Sequence, residues 1–126
     1  MEDGQLQARR EAPIVPLTTS AIVVMLSNMK ATLLLKERLL FDDESFAELV
    51  IWQLPQPAPG SMHRYKYRLA LIVRDECVLR YDNEAGKGDH KHTVSQELTY
   101  EFGSPDQLVE DFLREARGIH RENRDS

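Results

Sequence analysis

One cysteine, one tryptophan and no long apolar run set the first limits on this chain. A lone thiol, Cys77, rules out an internal disulfide and any thiolate metal cluster. Because it falls in an apolar, strand-like run, it is expected to be a buried structural thiol. The longest apolar stretch, residues 14–26, is interrupted by Pro16 and by hydroxyl side chains. It falls well short of the about 20 apolar residues of a membrane helix. Arg9 and Arg10 precede it in the order of a signal peptide, but Glu2, Asp3 and Glu11 argue against one. A basic excess is also missing. A net charge of -5 argues against a generic DNA-coating protein, though not against a local nucleic-acid site. No GxxxxGK[ST] loop, internal repeat or low-complexity tract occurs. These absences point to a soluble cytoplasmic protein with no membrane partner and no cofactor.

The 126 residues suit one domain with one modest core. Charge is segregated along them. Residues 60–92 carry seven Lys or Arg and five Asp or Glu, whereas residues 93–126 carry four Arg and eight acids. His63, His90 and His92, three of the four histidines, lie in the basic region, which mild acid would make more positive.

The pattern predicts an α+β domain, a mainly antiparallel sheet of four to five strands covered by a C-terminal helix. Residues 1–28 are read as an N-terminal extension, 29–119 as the domain and 120–126 as a tail. Met29 or Met25 is the expected natural start. A disordered arm, or an edge strand at residues 21–26, would explain the extension equally well. Residues 30–41 read as strand, with Leu33 and Leu35 on one face and Lys36 and Arg38 on the other, although a short helix competes. A turn at 42–45 leads into a strand over 45–54, and a proline loop (Pro55, Pro57, Pro59) follows. Residues 65–73 alternate Tyr65, Tyr67, Leu69, Leu71 and Val73 with Lys66 and Arg68, a strand basic at one end. After a turn at Asp75 and Glu76, a strand spans 77–81. A fifth spans 93–102, with Val94, Leu98, Tyr100 and Phe102 facing inward. Ser104 as N-cap and Pro105 at the first helical position open a helix expected to run to about Ala116. Its apolar stripe is Leu108, Val109, Phe112, Leu113 and Ala116, and Gly118 offers a stop. Its acids Asp106, Glu110, Asp111 and Glu115 are either solvated or face a basic partner. His120 falls beyond the helix and is expected to play no part.

Chemistry concentrates in residues 80–92, RYDNEAGKGDHKH. Lys66, Arg68 and Arg80 together would make a phosphate clamp, because guanidinium matches phosphate with two parallel hydrogen bonds. The alternative for Arg80 is a cross-strand ion pair. Gly86, Lys87 and Gly88 form a GKG turn whose amides could wrap an oxyanion. Asp82 and Asn83 could cap a turn. His90 and His92 share a face if they lie on a strand. They then suit acid–base work, or metal binding with Asp82 or Asp89 as further ligands. His63 could approach the same region. Tyr65, Tyr67 or Trp52 could stack a base, and each could equally be packed in the sheet. The set suits phosphodiester cleavage, with His90, His92, Asp82, Arg80 and Lys87 as the reacting groups. Lys66, Arg68, His63, Tyr65, Gly86 and Gly88 would hold the phosphate or substrate. A non-catalytic binding loop and a nucleotide-dependent transferase are the alternatives.

Four segments in order carry a resemblance: MKATLLLKERLLF, AELVIWQLPQPAPGSMHRYKYRLALI, RYDNEAGKGDHKH, and the aromatic strand closing on FGSPDQLVEDFLREA. From Met29 to Ala116 the chain resembles the TumE family of small bacterial toxins. The resemblance implies a growth-inhibiting toxin held inactive by a cognate helix-turn-helix antitoxin, and the site residues above point to RNA as its target. It marks motif positions at His63, Tyr65, Lys66, Tyr67, Arg68, Arg80, Asp82, Asn83, Lys87, Gly88, Asp89, His90 and His92. It supplies no chemistry of its own.

Overall fold

Strict alternation of apolar side chains drives the sheet. The computed structural model describes residues 30–83 and 88–125. Six strands run β1 (Thr32–Asp42), β2 (Ser45–Gln53), β3 (Tyr65–Val73), β4 (Glu76–Asp82), β5 (His90–Thr93) and β6 (Glu97–Thr99), followed by one helix, α1 (Pro105–Asp125). Each strand pairs antiparallel with the next, in the order β1-β2-β3-β4-β5-β6. The expected class, α+β with an antiparallel sheet and a C-terminal helix, is what forms.

One sheet face is apolar because every second residue of β2, β3 and β4 is. Ala47, Leu49 and Ile51, then Tyr67, Leu69, Leu71 and Val73, then Leu79 and Tyr81 are all buried there. Helix α1 lays Leu108, Phe112 and Ala116 on this face, and Val109, Leu113 and Ile119 flank them. The helix starts where the sequence places it. Ser104 Oγ accepts the Gln107 N–H at 3.1 Å, satisfying one of the donors that a helix N-terminus leaves open.

Several local features differ from the sequence reading. The helix passes through Gly118 and His120, because Ile119 still packs on the core and His120 Nε2 reaches Asp42 Oδ2 at 2.8 Å. The His120 ring also meets Phe41 edge-on at 5.3 Å, so this histidine joins the helix to β1. A bulge between Leu33 and Leu35 puts those two leucines on opposite faces, and Leu35 alone of the pair joins the core. The strand expected over 93–102 is a hairpin instead: Thr93 Oγ1 accepts the Gln96 N–H at 3.1 Å, and the Thr93 N–H donates to the Gln96 carbonyl at 2.8 Å. Val94, expected inside, is 71% exposed at that turn. Finally, Cys77 is exposed at the start of β4 rather than buried.

The β3–β4 turn is formed by Arg74 and Asp75, one residue earlier than read. Both have positive φ, 48° and 68°, the geometry of a two-residue turn that matches strand twist. The Arg74 N–H donates to the Glu44 carbonyl at 2.8 Å and its guanidinium reaches Glu44 Oε1 at 3.1 Å, which ties two hairpin ends together.

Candidate functional site

Strand pairing sorts the polar residues onto two faces. On the face turned away from α1, Arg68 of β3 lies opposite Asp82 of β4, which lies opposite His90 of β5, which lies opposite Thr99 of β6. One step along the strands, Ala70, Arg80, His92 and Glu97 form a parallel row. Arg68, Arg80, Asp82, His90 and His92 therefore come together, as the period-two reading of β4 and β5 requires.

The contacts within this group are close. Arg80 Nε lies 3.0 Å from Asp82 Oδ2, but its N–H is not aimed for a hydrogen bond, so the contact is electrostatic. The other Asp82 oxygen is 3.5 Å from His92 Nε2. Glu97 Oε2 sits between the two imidazoles, 3.7 Å from His90 Nε2 and 3.9 Å from His92 Nε2. The rings themselves are 6.3 Å apart. Arg68, although directly across from Asp82, makes no ion pair with a described residue.

Hydrogen bonding assigns the protons. His90 Nδ1 lies 2.9 Å from the Gly88 carbonyl, which can only accept, so Nδ1 carries the proton and neutral His90 presents Nε2 as a lone pair. Gly88 has φ 78°, a conformation open to glycine, and this orients that carbonyl. His92 Nε2 faces the Asp82 and Glu97 carboxylates, and His90 Nε2 faces the same Glu97 oxygen. The two imidazoles thus turn their Nε2 atoms toward one patch of surface that they share with Glu97.

His63 and Tyr65, expected at the same site, lie elsewhere. His63 stacks on Phe102 with centroids 3.9 Å apart, and Tyr65 packs against the helix-side core. The Tyr65 N–H donates to His63 Nδ1 at 3.1 Å, so His63 Nε2 carries the proton and donates to Asp89 Oδ1 at 2.8 Å. The Tyr67 hydroxyl donates to the same oxygen at 2.7 Å. Asp89 is occupied there and does not join His90 and His92. The described residues hold no group of three or more His, Cys, Asp or Glu arranged for a metal ion. The Asp89–His63 lock instead fixes the backbone immediately before His90.

Asn83 does not cap a turn. Its side chain accepts the Tyr67 N–H at 3.0 Å and donates to the Tyr65 carbonyl at 2.6 Å, which continues the ladder past the end of β4. Lys66 Nζ donates to the Asn83 carbonyl at 3.3 Å, so Lys66 borders the histidine site from β3. Gly86 and Lys87, the rest of the GKG turn, lie outside the described residues. Glu97 was missed in the sequence because its approach to the histidines depends on the turn at residues 94–96.

Helix acids are also partly engaged. Tyr81 and Lys91 both donate to Glu115 Oε1, at 2.6 and 3.1 Å, and Tyr100 donates to Asp111 Oδ2 at 2.7 Å. Burial first, and then the carboxylate partner, pushes the Tyr67, Tyr81 and Tyr100 hydroxyls above their ordinary value. Folding therefore favours neutral phenols over the unfolded chain. That stability is complete below the unfolded value of about pH 10 and is lost as pH rises beyond it. Urea midpoints should fall above about pH 10, and Tyr67→Phe should make the fall shallower. A midpoint unchanged by alkali in both proteins would contradict this.

Residues 30–120 match the family model for toxin TumE. The chain belongs to the TumE family. Comparison with the curated proteins and with the solved structures gave no match. TumE membership makes this chain a toxin of a toxin–antitoxin pair, with a cognate antitoxin as its partner. The matched region holds the described sheet and most of α1, so the histidine site lies within the TumE domain. No described helix is long and apolar enough to cross a membrane.

Proposed function

We propose that this TumE toxin cleaves RNA, using His90 and His92 as a base–acid pair. The observation that carries the reading is the pair of imidazoles on one sheet face, centroids 6.3 Å apart, beside Arg80 and Arg68. His90 Nε2 takes the proton of a ribose 2′-hydroxyl. The freed oxygen attacks the adjacent phosphorus, and the bond from phosphorus to the 5′ oxygen breaks. His92, in its protonated form, gives the Nε2 proton to that leaving oxygen and is left neutral. Arg80 and Arg68 offset the charge that grows on the phosphoryl oxygens, and Lys66 approaches from β3. Asp82 orients both His92 and Arg80. Lys87, Gly86 and Gly88 are assigned to the phosphate, as the GKG pattern suggests. The same reading places the protein in the cytoplasm and takes the antitoxin to be a helix-turn-helix protein that holds this face inactive. The coding sequence beside the toxin gene tests that partner assignment.

The experiment is incubation of antitoxin-free toxin with RNA. Fragments ending in 2′,3′-cyclic phosphate and 5′-hydroxyl, produced equally with EDTA present, are expected. RNA left intact across single-stranded and structured substrates would overturn the reading. Cleavage abolished by EDTA would overturn the two-histidine route.

A further inference from the structure

The face that carries His90 and His92 extends beyond them. Among the aromatic residues weighed as base platforms, Tyr65 and Tyr67 lie on the helix side, and the Tyr67 ring is buried there. Trp52 does not. It lies opposite Lys66, and the next pair along, Val50 and Arg68, continues the same face toward the histidines. Phe46, also on this face, is at the far end of β2 with the Arg38 guanidinium 4.3 Å above its ring. Trp52 is thus the aromatic ring that borders both Lys66 and the Arg68 row.

We propose that Trp52 is a base-stacking subsite for single-stranded RNA, with Lys66 and Arg68 holding the backbone between it and the histidines. The proposal rests on the RNA-cleavage reading and deepens it by naming the form of the substrate. Trp52 on β2 and His90 on β5 are separated by three strand spacings and a two-residue step along the strands, roughly 16 Å. That leaves room for a few nucleotides between the stacked base and the scissile phosphate. Arg68 has no ion pair with a described residue, and Lys66 is held only by a neutral carbonyl. A duplex keeps its bases stacked inside, whereas a single strand offers a π-face for the indole.

Trp52 is the chain's one tryptophan, so its fluorescence reports on this position alone. The test uses full-length His90→Ala protein, which binds without cleaving, and an oligouridylate of about ten nucleotides, within the usual single-strand site sizes. Binding should quench Trp52 emission. By anisotropy of labelled oligouridylate, Trp52→Ala should weaken binding by about 5- to 100-fold, and Trp52→Phe should recover most of it. Arg68→Ala should lower the slope of log affinity against log salt by about 0.7, the value for one phosphate on a single strand. Circular dichroism of each variant checks the fold, and the phenylalanine variant separates lost stacking from lost structure. Binding without quenching, with Trp52→Ala equal to its parent, would overturn the subsite and leave the RNA reading intact. Equal binding of duplex RNA would also overturn it. No binding of either RNA would overturn both.

Discussion

Phe112→Ala should cost about 3–5 kcal/mol of folding stability. Phe112 is fully buried and meets the Tyr81 ring edge-on at 5.5 Å, in the middle of the contact between α1 and the sheet. Truncation removes that transfer energy and leaves a cavity that the flanking strands cannot close, since their side chains are fixed by cross-strand pairing. Domains of this size have about 5–15 kcal/mol in all, so the variant should be near the edge of folding. Urea denaturation checks this. Phe112→Leu should lose less, because it keeps more of the volume. Leu40→Ala, at a side chain 77% exposed, should change stability by no more than about 0.5 kcal/mol. Equal losses at Phe112 and Leu40 would contradict the packing described.

The second large effect concerns turnover. His90→Ala and His92→Ala should each reduce RNA cleavage by about 100- to 10,000-fold. The double variant should be little worse than either single one, because base and acid act as a unit. Nitrogen NMR should show the proton on Nδ1 in neutral His90. Both variants should fold, since their side chains are only partly buried and lie away from the core. Cleavage undiminished in either variant would remove that histidine from the reaction.

Much of this was legible because period two is hard to mistake over nine residues. The bounds of β3 and the helix start at Ser104 and Pro105 follow from local patterns with a single reading. The strand over 93–102 misled for a physical reason. Its apolar residues keep period two at 94, 98, 100 and 102 with Gln96 missing from the series, and the turn forms across that gap. Gly118 misled because a glycine costs only about 1 kcal/mol inside a helix, which the contacts of Ile119 and His120 offset. For the site, the shared face of His90 and His92 could be read from spacing alone. The separation of His63 from them could not, since His63 meets Asp89 across 26 residues of sequence.

The order of elements has a consequence for how the chain is made. All six strands precede α1, and each pairs with its sequence neighbour. Hairpins can therefore close one after another as the chain leaves the ribosome, with little loop entropy to overcome. Among the described residues, Leu108, Phe112 and Ala116 of α1 cover their apolar face, and these emerge last. The nascent sheet is thus a sticky surface late in synthesis, and the toxin gains its sealed core only when its last helix is delivered.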